Sequence, residues 1–207
     1  MAQRQKGLPD RMATPNAIAA TGQAVLALIA AGISRDEFPS AKFELYQARN
    51  FQTPMEEGIS LYLYRITPAG EIRNYPPRIA PDGRRYRPLL PINLHYILSS
   101  WAREALKQQR LLGQAMRIIE DTPVLPAGIL NQGGPEADTF RPNETVDMIM
   151  ESVSIYDMGA IWDVAKPNVQ ISIGYVARMI GLESPLELTE AGNVQTRVFR
   201  PGKVLQP

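Results

Sequence analysis

The 207-residue chain has no cysteine and a single histidine, His95. Without thiols there are no disulfides, no Cys-ligated zinc and no thiol nucleophile, and one imidazole alone cannot build a typical transition-metal site. Net charge is nearly absent as well. Lysine and arginine number 22 and aspartate and glutamate 21, for a formal +1, so no global field draws the chain to nucleic acid or to an anionic membrane. The longest apolar run, residues 24–31, is about half of what a bilayer span needs. A phosphate-cradling Gly-rich loop, a dinucleotide fingerprint, a Gly-x-Ser-x-Gly elbow and a His-Glu-x-x-His helix are all missing. No cofactor, metal or catalytic set is therefore expected. The N-terminus shows no signal-peptide cleavage pattern, which points to synthesis and folding in the cytoplasm.

What is present suffices for one sizeable domain, since 44% of the residues are hydrophobic. Residues 1–13 are polar and aperiodic and read as a flexible arm. Thr14 as cap and Pro15 at the first turn predict a helix carrying Ile18, Gly22, Val25 and Ile29 at helical spacing. Alternation predicts a short strand at 42–47 and a central strand at 58–67, covered on both faces by Ile59, Leu61 and Leu63 and by Tyr62, Tyr64 and Ile66. Residues 71–75 could return antiparallel to it. Residues 89–98 predict a buried strand, with His95 as a packing residue holding one hydrogen bond, followed by a helix from Trp101 capped by Ser99 or Ser100. On that helix Arg103, Lys107, Arg110, Gln114 and Arg117 form a polar stripe, read as a solvated face with partner binding as the rival. Further strands are expected at 145–155, 169–180 and 194–200, with a short helix at 157–165. The pattern predicts an α/β (α+β) fold, a mixed sheet flanked by helices, spanning 14–181 with a C-terminal extension at 182–207.

Charge is segregated along the chain. Residues 73–87 hold five arginines against Asp82, in a Pro-rich excursion with a Pro-Asp-Gly turn. From 136 to 157 the balance reverses, with Glu136, Asp138, Glu144, Asp147, Glu151 and Asp157 against Arg141. Asp147 and Glu151, four apart on a strand, would lie roughly 13 Å apart at about 3.3 Å per residue. That exceeds the ~5–9.5 Å of glycosidase carboxylates. An acidic strand face meeting a basic surface is the more economical reading, and a basic loop of one molecule on an acidic strand of another makes a heterologous contact that closes rings or runs into filaments.

Three stretches, 43–50 (FELYQARN), 58–74 (GISLYLYRITPAGEIRN) and 88–102 (PLLPINLHYILSSWA), with LGQAM at 112–116 in the next helix, resemble the cap, or tail-terminator, family of extracellular contractile injection systems. These relatives of phage tails include the antifeeding prophage and Photorhabdus virulence cassette particles. The resemblance implies a phage tail-terminator-like fold and a structural, non-enzymatic role. It implies a homo-oligomeric, six-fold ring on the last layer of the inner tube protein that ends tube growth and fixes the end of the sheath protein. Neither nucleic acid nor a membrane is required, and assembly would take place in the bacterial cytoplasm on a particle that is released or retained. A terminator or connector of a related phage tail or cell-bound secretion apparatus is the alternative, with a small unrecognised enzyme behind it. Charge and position assign Arg78, Arg84, Arg85, Arg87, Asp147 and Glu151 to subunit or tube contacts. Residues 194–200, with Val198 and Arg200, are assigned to the sheath by strand addition.

Overall fold

A computed structural model describes residues 15–70, 75–80, 82–132, 139–165 and 170–188. The expected arm, Thr14, the 71–74 part of the return strand and the 194–200 strand with Val198 and Arg200 lie outside them. In chain order the elements are α1 (Ala17–Gly32), β1 (Lys42–Tyr46), a 3-10 helix (Ala48–Gln52), β2 (Gly58–Pro68), β3 (Arg78–Ile79), β4 (Arg85–Tyr86) and β5 (Leu90–Trp101), followed by α2 (Ala105–Asp121), β6 (Val124–Pro126), α3 (Ala127–Leu130), β7 (Thr145–Glu151), α4 (Ile155–Ala165) and β8 (Ser172–Leu182). Among the described residues six strands form one mixed sheet in the order β1-β2-β5-β8-β7-β6, while β3 and β4 pair separately. Only β1 and β2 run parallel; the other ladders of the six-stranded sheet are antiparallel.

Alternation decides which face of the sheet is buried against helices. Ile59 and Leu61 of β2, Leu94, Tyr96 and Leu98 of β5, Tyr175 and Ala177 of β8, and Val146 and Met148 of β7 point into one core. There they meet Ala20, Ala24, Val25 and Ile29 of α1 and Leu111, Leu112, Ala115 and Ile119 of α2. The opposite face carries a smaller aromatic cluster of Tyr46, Phe51, Met55 and Trp101 with Tyr62 packed against it. Tyr46 meets Phe51 edge-on at 5.3 Å between centroids. The Tyr46 hydroxyl accepts the Met55 N–H at 2.8 Å.

The structure corrects the strand-to-helix junction after His95. Ser99 and Ser100 do not cap a helix and Trp101 does not begin one, because ladder partners on both sides keep β5 extended to Trp101. Ser99 pairs with Ser60 and Ser172, and Trp101 pairs with Gly58. The Ser99 and Ser172 hydroxyls bond at 2.7 Å and the Trp101 indole donates to Ser60 Oγ at 2.8 Å. α2 starts only after Glu104, whose carbonyl accepts the Gln108 N–H at 2.9 Å. α1 likewise begins later than expected, after Asn16 rather than Thr14.

Strand β7 ends at Glu151, so Val153 and Ile155 are not part of it. Ser154 stops it, as a local cap outcompetes the apolar alternation. Its hydroxyl accepts the Asp157 N–H at 3.1 Å and donates to the Asp157 carboxylate at 2.8 Å, opening α4 two residues before the expected start. β8 keeps the expected alternation through Tyr175 and Ala177, then bulges. Met179 takes a left-handed φ of 61°, its N–H bonded to Asn93 Oδ1 at 3.0 Å, and the register shift returns Ile180 to the core.

Candidate interaction site

The Pro-rich arginine excursion folds into a small hairpin. Asp82 and Gly83 make its turn: the Gly83 N–H donates to the Ala80 carbonyl at 2.8 Å, and Gly83 adopts φ 81°, which glycine tolerates without a Cβ penalty. The Arg84 backbone N–H, then its guanidinium, hold the Asp82 carboxyl below the usual carboxylate range. The chain leaving β8 returns to this hairpin. The Arg87 N–H donates to the Leu186 carbonyl at 3.0 Å and the Leu188 N–H to the Arg85 carbonyl at 2.8 Å, while Tyr86 and Glu187 form an antiparallel bridge. Residues 186–188 thus add a third, short edge beside β4.

Arg78 and Arg84 form ion pairs within this unit. Arg78 stacks on the Tyr86 ring at 4.4 Å and its Nε lies 3.3 Å from Glu183 Oε1, which also receives Arg141 Nη2 at 3.1 Å. Arg84 bonds Asp82 at 2.6 Å and Glu187 at 2.8 Å. Arg85 and Arg87 are exposed at its rim. The sequence does not reveal Glu183 and Glu187 as partners of the arginines, because no periodicity links residues about a hundred positions apart.

On the sheet face opposite α1 and α2, His95 anchors a polar clasp across β2, β5 and β7. His95 is 6% exposed, and both ring nitrogens are engaged, not one. Nδ1 lies 2.8 and 3.0 Å from the two Glu151 carboxylate oxygens and Nε2 lies 2.8 Å from Thr67 Oγ1. A carboxylate only accepts, so Nδ1 carries a proton toward Glu151, while Nε2 bonds the Thr67 hydroxyl, which can give or take the proton of that bond. Arg65 Nη2, 3.4 Å from Nδ1, then faces another donor. Its attraction is to Glu151 at 3.5 Å. The Tyr64 hydroxyl donates to Glu151 at 3.2 Å, and burial first, then that carboxylate, push the phenol above its ordinary range.

Glu151 reaches His95 diagonally across β8, since Glu151 pairs with Gly174 while His95 pairs with Val176 two residues on. A Cβ on Gly174 would fall 2.8 Å from the Glu151 carbonyl oxygen and 2.5 Å from Val153 Cγ2. Hydroxyl, imidazole and carboxylate in series match the connectivity of an acyl-transfer triad, but Arg65 and Tyr64 share this carboxylate and the ring is buried within the sheet face. The arrangement serves to tie three strands. Asp147, at the other end of β7, is exposed opposite Arg178. The structure does not bring Asp147 and Glu151 to the arginine hairpin, and Val198 and Arg200 lie outside the described residues.

The polar stripe of α2 is paired within the chain rather than free. Arg103 bonds Glu56 at 2.8 Å, Lys107 bonds Glu57 at 2.6 Å, Arg110 bonds Glu37 at 2.6 Å, and Arg117 pairs with Asp121 one turn on. Among the described residues no three His, Cys, Asp or Glu side chains converge as a metal site. No helix among them is long and apolar enough to cross a membrane.

Comparison with known proteins gives a family and a fold. The profile of the Pvc16 N-terminal domain family matches residues 20–196. Curated protein sequences give no significant match. Among solved structures the chain is similar to the sheath/tube terminator of PVC, an extracellular contractile injection system, in its extended state. The TM-score is 0.50 at 14% identity over 92% of this chain and 63% of that one. The tube-terminating cap of the anti-feeding prophage gives 0.48 at 13% identity over 89% and 60%. The chain thus spans somewhat under two thirds of the length of either protein.

Proposed function

Because the chain belongs to the Pvc16 N-terminal domain family, we propose that it is a structural, non-catalytic terminator of a contractile injection particle. Six copies form a ring on the last layer of inner tube protein, stop its growth and fix the end of the sheath. The observation that carries this reading is the family match across residues 20–196, and the mixed sheet shared with a sheath/tube terminator agrees with it. Assembly takes place in the bacterial cytoplasm, without nucleic acid or membrane.

A terminator must bind the end of an open stack and present no equivalent surface beyond it, which heterologous contacts achieve. In this reading Arg78 and Arg84 shape the hairpin through Glu183 and Glu187, while Arg85 and Arg87 give its rim a positive charge. Asp147 and Glu151 form the acidic counterpart, Glu151 oriented by the His95 clasp. The 194–200 segment, with Val198 and Arg200, reaches the sheath as an added strand. Native mass measurement of the purified chain, alone and with short inner-tube stacks, tests the proposal. A six-copy species formed or stabilised by tube is expected; a monomer in both conditions refutes the ring.

A further inference from the structure

Two exposed apolar surfaces of opposite charge remain after the fold and the clasp are accounted for. In the hairpin unit, Arg78, Tyr86 and Glu187 share one face, as the Arg78–Tyr86 stack and the Tyr86–Glu187 bridge require. Period two therefore places Ile79, Leu186 and Leu188 on the other face, beside Arg85 and Arg87. Ile79 is 68% and Leu186 53% exposed. The second surface lies where β7 passes into α4. Ile155 is 75% and Tyr156 87% exposed, followed by exposed Asp157 and a few residues after the end of β7 at Glu151. Scattered apolar side chains need no explanation, but two clusters with complementary rims do.

The two surfaces cannot cover each other within one chain. The hairpin unit joins the sheet at the Leu90–Leu182 pair, whereas Glu151, just before α4, pairs with Gly174. From Gly174 to Leu182 the strand rises about 26 Å at roughly 3.3 Å per residue. Like charge also disfavours each surface meeting its own copy, since Arg87 stands beside one and Asp157 beside the other.

We infer that the apolar-basic hairpin face of one copy seats on the apolar-acidic β7–α4 surface of the next. Ile79 and Leu186 pack against Ile155 and Tyr156, with Arg87 facing Asp157 at the rim. An apolar centre inside a charged rim is the usual anatomy of a protein interface. Two different patches in head-to-tail contact can close a ring. This contact rests on the ring reading above and names the surfaces that make it.

The absence of cysteine makes the test direct, because an introduced thiol is the chain's only one. Ile79→Cys and Tyr156→Cys replace exposed side chains, so both variants should fold. Under mild oxidation, mixing the two single variants is expected to give disulfide-linked dimers, each alone stays uncross-linked, and the double variant gives a ladder ending at the ring number. Rings by native mass without cross-linking in the mixture would overturn this contact and leave the ring standing. Single variants that cross-link to themselves as well as the mixture does would make the contact isologous and overturn it too. A chain that stays monomeric with tube present removes ring and contact together.

Discussion

Replacing His95 by phenylalanine keeps the ring volume but deletes both hydrogen bonds of the clasp. The lost bonds are that of Nδ1 to Glu151 at 2.8 Å and that between Nε2 and the Thr67 hydroxyl at 2.8 Å. A hydrogen bond to a charged group contributes about 1.5–3 kcal/mol net and a neutral one about 0.5–1.5 kcal/mol. Glu151 keeps Tyr64 and Arg65, so it is not left unpaired, and the low ends of these ranges apply. The expected loss is about 2–3 kcal/mol. With a urea m-value of about 2–3 kcal/mol per M, the unfolding midpoint should fall by roughly 1 M at unchanged m. In a cycle with Glu151→Gln, the two residues should couple by about 1–2 kcal/mol. A midpoint shift under ~0.2 M, or strict additivity in the cycle, would refute the clasp as a stabilising tie.

Gly58→Ala should unfold the β1–β2 pairing, because Gly58 has φ 148° and an added Cβ would lie 2.0 Å from the Lys42 carbonyl oxygen. We expect a cost above ~3 kcal/mol and a melting point lower by about 10 °C; a melting point within ~2 °C of the parent would contradict it. Ser154→Ala removes the cap of α4 and should cost about 1 kcal/mol, read as faster amide exchange confined to α4. Above pH 10 the fold should weaken. Burial, then the Glu120 carboxylate, push the Tyr175 phenol up to about 12, and burial raises that of Tyr96. Unfolded tyrosines titrate near 10, so between pH 10 and 12 the unfolded chain releases protons that the fold retains. Stability, undiminished by this term below pH 10, then falls by up to about 1.4 kcal/mol per pH unit per phenol. Urea midpoints at pH 9 and 11 check this, and equal midpoints would contradict it.

The elements that local pattern governs were legible in the sequence. Strands β1, β2 and β8, helix α2, though expected to start a turn too early, and the mixed-sheet class follow from periodicity, and the family resemblance drawn from three short stretches agrees with the profile match. The misplaced boundaries have a common cause. At Ser99, Ser100 and Trp101 a capping serine and an aromatic suggested a helix, but cross-strand partners on both sides held the chain extended. At Ser154 the reverse occurred, as a local cap ended a strand whose apolar alternation continued. The clasp was hidden for a different reason. His95, Glu151 and Thr67 are far apart in sequence, and only the register of β2, β5, β8 and β7 brings them together. Gly174, a glycine inside a clear strand, was the one available hint of a close crossing. The same holds for Arg78 and Arg84, whose partners Glu183 and Glu187 follow the last strand of the sheet.

The length of inner tubes assembled in the presence of the chain tests its role as a terminator most directly. Electron micrographs should show tubes whose mean length shortens as the chain is added, each carrying a ring of density at one end. Tube lengths that do not change with chain concentration, with bare ends throughout, would contradict it.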